Sequence, residues 1–559
     1  MAKRLLIVGI AAAIVVIGGG LYLFIGMPSK ETIDPIEYFS EFREGQTNVT
    51  LEDLRINMEE PVFIKDGLIY VSNEFAKLHV DDAIYYDAHE DILTITNMQQ
   101  VIRMNINDPT YLINSGESSL DHEIFEHNDR AYIPETYLEE HYPVEFTMGK
   151  DERIVKVSDL KVAKRLGVSI DKEAIIRTHP TKQSAIVDVV PEYSEVEIYS
   201  EGEDYYRVRN ENGMIGYIEK KHVELADVTE TQATVVYEPY PIKKPLWSKV
   251  RMVWDQMASS AVHSLSASKY SNLDEVNVIS PTWFEFSDED GNLTNRASSS
   301  YVREAYSKGL LVWPLMSHSF LNSGWTRDIL TSTAKRQHVI DQLIEFAQIY
   351  GFDGINIDIE NVATDFSEDW VQFMRELYPQ LSKLGLTVSV DIYIPSAWSS
   401  HYKRDKIAEV VDYFMVMAYD QHWSGSEEPG PVAAIPWVEE GIVLNLEEVP
   451  NNKLVLGIPF YNRIWAITDT GLETIAVSMS EVNSRVNNAG ATPIFDALTQ
   501  LNYAHYEYSN KSYHIWIEDK DAVAKRVELM NKYDLAGYAC WKLGLETNDV
   551  WNELSKLEG

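Results

Sequence analysis

Cysteine is almost absent: Cys540 is the only one in 559 residues. That excludes an internal disulfide and every multi-cysteine zinc or iron–sulfur site. Basic residues are scarce too, with 48 Lys and Arg against 87 Asp and Glu, a formal net charge of −39. Such a surface repels phosphate backbones, and no local basic patch opposes it, so nucleic acid is excluded as a partner. Histidines in ligand spacing are missing as well. His79, His122, His127 and His141 are scattered, with no helical pairing and no carboxylate partner, so neither a metal nor a cofactor is expected. Apolar residues make up 45% and charged residues 24%, so most of the chain folds in water, and at roughly 150 residues per domain it divides into about three or four units.

There is one long apolar run. Leu5 to Met27 contains only apolar residues and glycine, and at about 1.5 Å per residue it spans a hydrocarbon layer of about 30 Å. Lys3 and Arg4 precede it, so the positive-inside bias leaves residues 1–29 as a cytoplasmic tip and transmembrane anchor, with everything later extracytoplasmic. The alternative is a cleaved signal peptide and secretion. The run exceeds the usual apolar region of about 7–15 residues and no small-x-small site follows it, which favours the anchor.

Residues 30–165 contain a repeat at an offset of about 62 positions. Asp66 recurs as Asn128, Tyr70 as Tyr132, Val71 as Ile133, Phe75 as Tyr137, Ile84 as Phe146 and Ile95 as Val157. Each copy reads as a hairpin, a short helix and a strand pair, the first hairpin turning at Asp66-Gly67. This duplicated α+β module resembles the copper amine oxidase N-terminal-like stalk domain. In residues 166–228 short β-rich runs follow, among them Glu195 to Tyr199 and Tyr205 to Val208. They predict a small barrel, which resembles a bacterial SH3-like domain on Asn212-Gly213-Met214-Ile215-Gly216-Tyr217-Ile218. The resemblance implies a holder of cell-wall peptide, while a plain spacer fits equally. Residues 229–245, with Glu238-Pro239-Tyr240-Pro241, read as a linker.

From residue 246 to 559, buried strand runs alternate with amphipathic helices, the pattern of an α/β fold with parallel strands. The candidate strands are Val250 to Trp254, Val276 to Ser280, Leu310 to Leu315, Gly354 to Asp358, Thr387 to Ile392, Tyr413 to Ala418, Leu454 to Ile458 and Ala536 to Trp541. Eight such strands predict a (β/α)8 TIM barrel. A helix carries Ile340, Leu343, Ile344 and Ala347 on one stripe, and another begins near Ser367. A small α+β insertion between the last two strands holds a hairpin, Tyr503 to Tyr508 with Tyr513 to Ile517, expected to roof one side of a cleft.

The fourth strand ends Asp353-Gly354-Ile355-Asn356-Ile357-Asp358-Ile359-Glu360. Strand side chains alternate, so Asn356, Asp358 and Glu360 share one face and rise toward the barrel's C-terminal mouth, where barrel enzymes place catalysis. Carboxylates there can serve a salt-bridge network, a divalent metal or acid/base chemistry. A metal would want more oxygen ligands than the strand offers. Close carboxylates cannot both ionise cheaply, so one is pushed toward a useful general acid, and Glu360 is outermost. Asp353 is out of register with the column and either fixes the strand's start or takes a functional part.

The run resembles the D-G-x-D-x-D-x-E motif of glycoside hydrolase family 18. Met417-Ala418-Tyr419-Asp420 is similar to that family's M-x-Y-D, the seventh strand supplies Leu456-Gly457-Ile458-Pro459-Phe460-Tyr461, and Trp541 ends the eighth. Tyr419 to Gly425, Pro429-Gly430-Pro431 and Ile435-Pro436-Trp437 look most like the spore-germination and cortex-lytic branch. The resemblance implies a glycosidase acting on an N-acetylglucosamine glycan, peptidoglycan or a chitin-like oligomer, by substrate-assisted retention. The sugar's acetamido oxygen attacks its own anomeric carbon while Glu360 protonates the leaving oxygen. Asp358 hydrogen-bonds the acetamido N–H, Tyr419 holds its carbonyl oxygen, Asp420 takes a sugar hydroxyl and Trp541 stacks on the ring. Met417 and Tyr461 are expected to line the substrate site, and Trp283 a further subsite, while His422, Trp423 and Trp437 are expected to pack loops, with Trp423 a second option for a subsite. Position 356 is Asn where much of the family has Asp; an amide there can hydrogen-bond Asp358 but cannot share a proton with it. The other classes open at this point are a chitinase, a non-catalytic glycan-binding envelope protein and a wall-tethering structural protein.

Overall fold

A computed structural model describes residues 27–149, 152–172, 174–244, 248–257 and 273–559. The expected membrane span, Leu5 to Met27, lies outside these except for Met27. Among the described residues no helix is long and apolar enough to cross a membrane. The chain divides into two compact units, residues up to Ile95 with Arg103–Val236, and Thr96–Ile102 with Tyr237–Gly559.

The duplication is visible in the first unit. The hairpin strands Val62–Lys65 and Leu68–Ser72, with the helix Asn73–His79, recur as Phe125–His127, Arg130–Pro134 and Glu135–His141. Both hairpins turn through left-handed residues, Asp66 and Gly67 at φ 52° and 81°, Asn128 and Asp129 at 54° and 60°. Two successive positive φ values are what a tight two-residue hairpin turn demands, and this explains the Asp/Asn and Gly/Asp pairs at the repeat positions. The hairpins join antiparallel into one sheet, with Val71 opposite Ile133, its own repeat equivalent, so the two copies are related by a local two-fold. The SH3-like part is a seven-stranded sheet that adds Arg165–Ser169 and Val223–Val228 to the expected strands. It is fastened to the duplicated module by Arg209, which is fully buried. Arg209 pairs with Glu197 at 2.7 Å and donates to the Thr50 and Val157 carbonyls and to the Ser158 hydroxyl.

The second unit is the barrel. Its strands are β1 (Val250–Asp255), β2 (Val278–Phe286), β3 in two pieces (Leu311–Val312 and Leu315–Ser317), β4 (Gly354–Asp358), β5 (Thr387–Tyr393), β6 (Tyr413–Met417), β7 (Leu454–Pro459) and β8 (Gly537–Trp541). All eight pair in parallel with their neighbours, and β1 pairs with both β2 and β8, which closes the cylinder. The alternation of strand side chains separates two apolar regions. Met252, Trp254, Trp313, Leu315, Met415 and Val455 form a compact interior cluster, whereas Val253, Ile355, Ile357, Val388 and Val390 pack with the helices. Helix α1 (Thr333–Tyr350) is capped by the Ser332 hydroxyl and stopped by Gly351 at φ 73°. It buries Val339, Ile340, Leu343 and Ala347, close to the expected stripe; helix α2 is Ser367–Ser382.

The insertion between β7 and β8 is larger than the expected hairpin. It is a five-stranded sheet in the order Gly471–Ser478, Tyr461–Thr468, Lys511–Ile517, Leu501–Tyr508, Ile494–Asp496, with the helix Met479–Asn488. Its first hairpin, carrying Tyr461, Arg463, Ala476 and Val477, walls the cleft beside Asp420 and Trp541. The expected hairpin, Leu501–Tyr508 with Lys511–Ile517, contributes no wall residue there, because the chain enters the sheet directly from β7 and sets Tyr461 next to the barrel mouth.

Candidate active site

A cavity of about 440 Å³ opens at the C-terminal ends of the strands, within the size of sites that take small ligands. It is lined by Asp358, Glu360, Asp391, Met417, Tyr419, Asp420 and Trp541, together with Trp254 and Phe320. Of the expected β4 column, Asp358 and Glu360 line the cavity, while Asn356, expected to bind substrate, lies beneath them and outside its lining; the three share one face because side chains alternate along a strand.

At the base of the column Asn356 is fully buried. Its Oδ1 accepts from the Trp254 indole N–H at 2.8 Å, a group that can only donate, which fixes the amide's orientation. Its two N–H bonds then go to the Ser389 hydroxyl at 3.1 Å and to Asp391 Oδ1 at 2.8 Å. The amide therefore has no donor left for Asp358, and the expected Asn356–Asp358 hydrogen bond is not made. Asp358 Oδ1 is buried without a hydrogen-bond partner. Burial, reinforced by the charges of Glu360 and Asp391, pushes its carboxyl well above the usual range.

Glu360 stands at the lip. Its carboxylate accepts from the Tyr393 hydroxyl at 2.5 Å, and its backbone carbonyl accepts from Tyr402. Burial raises its pKa, the Tyr393 hydrogen bond opposes the rise and Asp420 adds to it. His318 braces the same turn, since Glu360 N donates to His318 Nδ1 at 3.3 Å while the His318 backbone N–H bonds the Asp358 carbonyl.

On the opposite wall Tyr419 and Asp420 follow β6. Burial drives the Tyr419 hydroxyl well above its usual pKa, so it remains a donor. Gly457 makes room for the ring: a Cβ there would lie 2.5 Å from the Val416 carbonyl and 3.1 Å from the Tyr419 ring. Asp420, at φ 57°, turns back toward the insertion, where it accepts from the Tyr461 hydroxyl at 2.5 Å and lies 3.8 Å from Arg463. Trp541 closes the side beside Trp254, ring centroids 5.9 Å apart.

Two expectations change. Trp283 is buried in the layer between β2 and the helices, against Phe284 and Tyr301, and does not line the cavity. Its neighbour Thr282 does, because β2 side chains alternate and the odd position faces outward. Asp353 is structural, paired with Lys243 at 2.5 Å and accepting from the Val312 N–H at 3.0 Å. Among the flanking loop residues, Trp437 packs against the core and His422 Nδ1 lies 3.2 Å from the Pro431 carbonyl, whereas Trp423 is largely exposed. The residues missed are Asp391, Tyr393, His318, Tyr402 and Trp254. For Asp391 and Tyr393 the signal was present: Ser389, Asp391 and Tyr393 alternate along β5 as Asn356, Asp358 and Glu360 do along β4.

A closed eight-stranded parallel barrel with an acid at its mouth, a buried carboxylate beneath it and an aromatic wall defines a glycosidase of the barrel class. Comparison with known proteins narrows this. Residues 320–546 match the model of glycosyl hydrolases family 18, residues 50–157 that of the copper amine oxidase N-terminal domain and residues 172–224 that of the bacterial SH3 domain. The family 18 match falls within the barrel, from the segment after β3 to the segment after β8. An uncharacterized glycosylase of Bacillus subtilis, YvbX, is 26% identical over 296 residues, covering 50% of this chain and 84% of the relative. A cortical fragment-lytic enzyme of the same organism is 27% identical over 238 residues, covering 41% of this chain and 55% of the relative's length. The crystal structure of the spore cortex-lytic enzyme SleL of Bacillus cereus shares the fold, with a TM-score of 0.51, 19% identity and coverage of 60% of this chain and 79% of that one.

Proposed function

We propose that this protein cleaves β-1,4 bonds of an N-acetylglucosamine-containing envelope glycan, peptidoglycan in the first instance, with the substrate's own acetamido group as nucleophile. The observation that carries this reading is the pair formed by Glu360 and Asp358. Glu360 keeps a raised pKa at the cavity lip, as a general acid working near neutral pH requires. Asp358 presents a buried oxygen without a partner two residues below it. A buried acceptor left open is costly, and an acetamido N–H entering the cavity would satisfy it while aligning the acetamido oxygen for attack. The positive charge that develops on the oxazolinium favours the ionised form of Asp358 against its burial, and that anion stabilises it; Tyr419 donates to the acetamido oxygen, and Glu360 gives its proton to the leaving oxygen and takes one back from water. Trp541 offers an apolar face to the ring, and Asp420, held by Tyr461, a hydrogen-bonding edge. The names of the relatives, two of them cortex-related, support peptidoglycan as the glycan, and the apolar run Leu5 to Met27 would set the barrel on the envelope side.

Glu360→Gln should lower release of reducing ends from purified peptidoglycan by about 10²–10⁴-fold while glycan binding is retained. Equal rates for the two proteins would overturn the reading. Hydrolysis of spore cortex, vegetative wall and chitin oligomers, with the new reducing sugar identified by mass spectrometry, distinguishes wall from chitin as substrate.

A further inference from the structure

The chain carries no basic run, yet the fold gathers cations at one place. A cavity of about 860 Å³ opens on the SH3-like part, and among the described residues Lys30, Lys172, Arg177, Lys182 and Lys221 line it with a single carboxylate, Glu219. Glu219 pairs with Lys221 at 3.1 Å and lies 3.7 Å from Lys182, while Lys172 is 3.9 Å from Glu192. Against a formal net charge of −39, this is a local surplus of positive charge. Arg177 sharpens it. It is 4% exposed and donates to the Ser29 and Ser184 carbonyls at 3.1 and 2.7 Å, and no carboxylate among the described residues pairs with it. The buried arginines Arg209, Arg336 and Arg526 are each met by a glutamate, at 2.7, 2.9 and 2.7 Å. A buried cation without counter-charge is costly, and an anion entering the cavity would supply one.

The place of the cluster points to the kind of anion. The residues that lead out of the apolar run are not a loose tether. The Ser29 N–H donates to the Lys182 carbonyl at 2.8 Å, the Ile33 N–H to the Ile186 carbonyl at 3.0 Å, and the Ile186 N–H to the Glu31 carbonyl at 2.7 Å, with Thr32 paired in parallel to Ile186. Ile33 packs on the SH3-like core. This segment therefore adds an edge to the strand Ile186–Val190, and it holds the cavity close to Met27, the last residue of the run, which itself lines it. Lys30 is separated from Met27 by about 11 Å of extended chain at most, against a Debye length of about 8 Å at physiological salt. A charged surface at the end of the run is thus within reach of the cations. Met27 and Val189, both exposed, put apolar side chains on the same cavity, and cations beside apolar groups on one face are the make-up of an interfacial surface.

We propose that this cavity is a membrane-docking site, whose cations bind the phosphate headgroups of an anionic lipid leaflet and so hold the SH3-like part against the membrane. Lys30, Lys172, Lys182 and Lys221 meet the headgroups, and Arg177 backs the cavity with a charge that no protein carboxylate neutralises. Binding is by ion pairs and hydrogen bonds. The SH3-like part then serves as the foot of the first unit and not as a holder of wall peptide. The inference rests on the reading of Leu5 to Met27 as a membrane anchor and is independent of the glycosidase chemistry.

The test uses the full chain reconstituted into vesicles of phosphatidylcholine alone and of phosphatidylcholine with phosphatidylglycerol. A membrane-impermeant acetylating reagent reads the reactivity of Lys30, Lys172, Lys182 and Lys221 relative to Lys556, an exposed lysine of the second unit. At low salt the four should react at least about fivefold more slowly on the phosphatidylglycerol vesicles, and about 1 M salt, where the Debye length falls to about 3 Å, should abolish the difference. In the double variant Lys172→Gln with Lys182→Gln, both at exposed positions, Lys30 and Lys221 should lose most of that protection. Wild-type rates equal on the two vesicles, or protection undiminished in the variant, would overturn the proposal. Protection by an added glycerol-phosphate oligomer on phosphatidylcholine, with none from phosphatidylglycerol, would also overturn it and assign the site to a wall polymer. Flotation separates docking from anchoring. Salt-resistant flotation with both vesicles and equal lysine rates would remove the docking site and leave the anchor; flotation with phosphatidylglycerol vesicles only, lost at high salt, would remove the anchor and leave the docking site.

Discussion

Tyr393 and Glu360 form a pair whose titration is open to measurement. The Tyr393 hydroxyl donates to Glu360 and stabilises its anion, which holds the acid below the value burial alone would give. Removing the hydroxyl should therefore raise the Glu360 pKa further. Tyr393→Phe is expected to carry the alkaline limb of kcat/KM to higher pH, since the protonated acid then persists longer, with a loss of about tenfold at the optimum from the poorer placement of the carboxyl. A downward shift of that limb would contradict the assigned direction. The single-residue level also shows what was legible in advance. The column of Asn356, Asp358 and Glu360 followed from the two-residue period alone, and Tyr419, Asp420, Met417 and Trp541 line the same cavity. Trp283 failed because an aromatic residue at a strand end carries no mark of which face it takes. Asp391 was passed over because it belongs to no contiguous motif: its meaning comes from its neighbour across the sheet, and register between strands is not written in either strand by itself.

At the level of elements, the eight strands were readable because a parallel strand buried on both faces is a short apolar run, and the two helices because their stripes repeat at helical spacing. The duplicated module was readable from its offset, and the positive-φ turns at Asp66 and Asn128 explain why those positions kept a turn-forming residue. The extent of the insertion was not legible, since the strand Tyr461–Thr468 follows β7 after a single residue and its apolar residues read as a continuation of it. Nor was Arg209, an arginine in a β-run that looks solvent-facing yet lies buried under two sheets. Glu197, its partner, is desolvated, which raises its pKa, but Arg209 first and then Lys156, Tyr199 and Lys164 outweigh this and bring it to about 2. A carboxyl held below its ordinary value adds stability that is present above that ordinary value and lost as pH falls toward the folded one. Arg209→Met should cost about 3 kcal/mol by leaving Glu197 short of its main counter-charge, seen as a lower unfolding midpoint in denaturant at pH 7, and the deficit should shrink on acidification. A midpoint equal to wild type would mean that the arginine does not fasten the SH3-like sheet to the duplicated module.

For the molecule as a whole, the acidic balance and the single cysteine narrowed the partners, and the motifs in chain order marked out the catalytic barrel, but the chemistry rests on one arrangement: an acid at the lip, an open buried acceptor below it, and no nucleophile assigned to the protein. The anomeric configuration of the sugar first released from an N-acetylglucosamine oligomer, followed by NMR before mutarotation, tests that arrangement most directly. Attack by the acetamido oxygen followed by water inverts the anomeric carbon twice, so the account predicts that the β-anomer appears first. Initial release of the α-anomer would mean a single displacement by water and would contradict it.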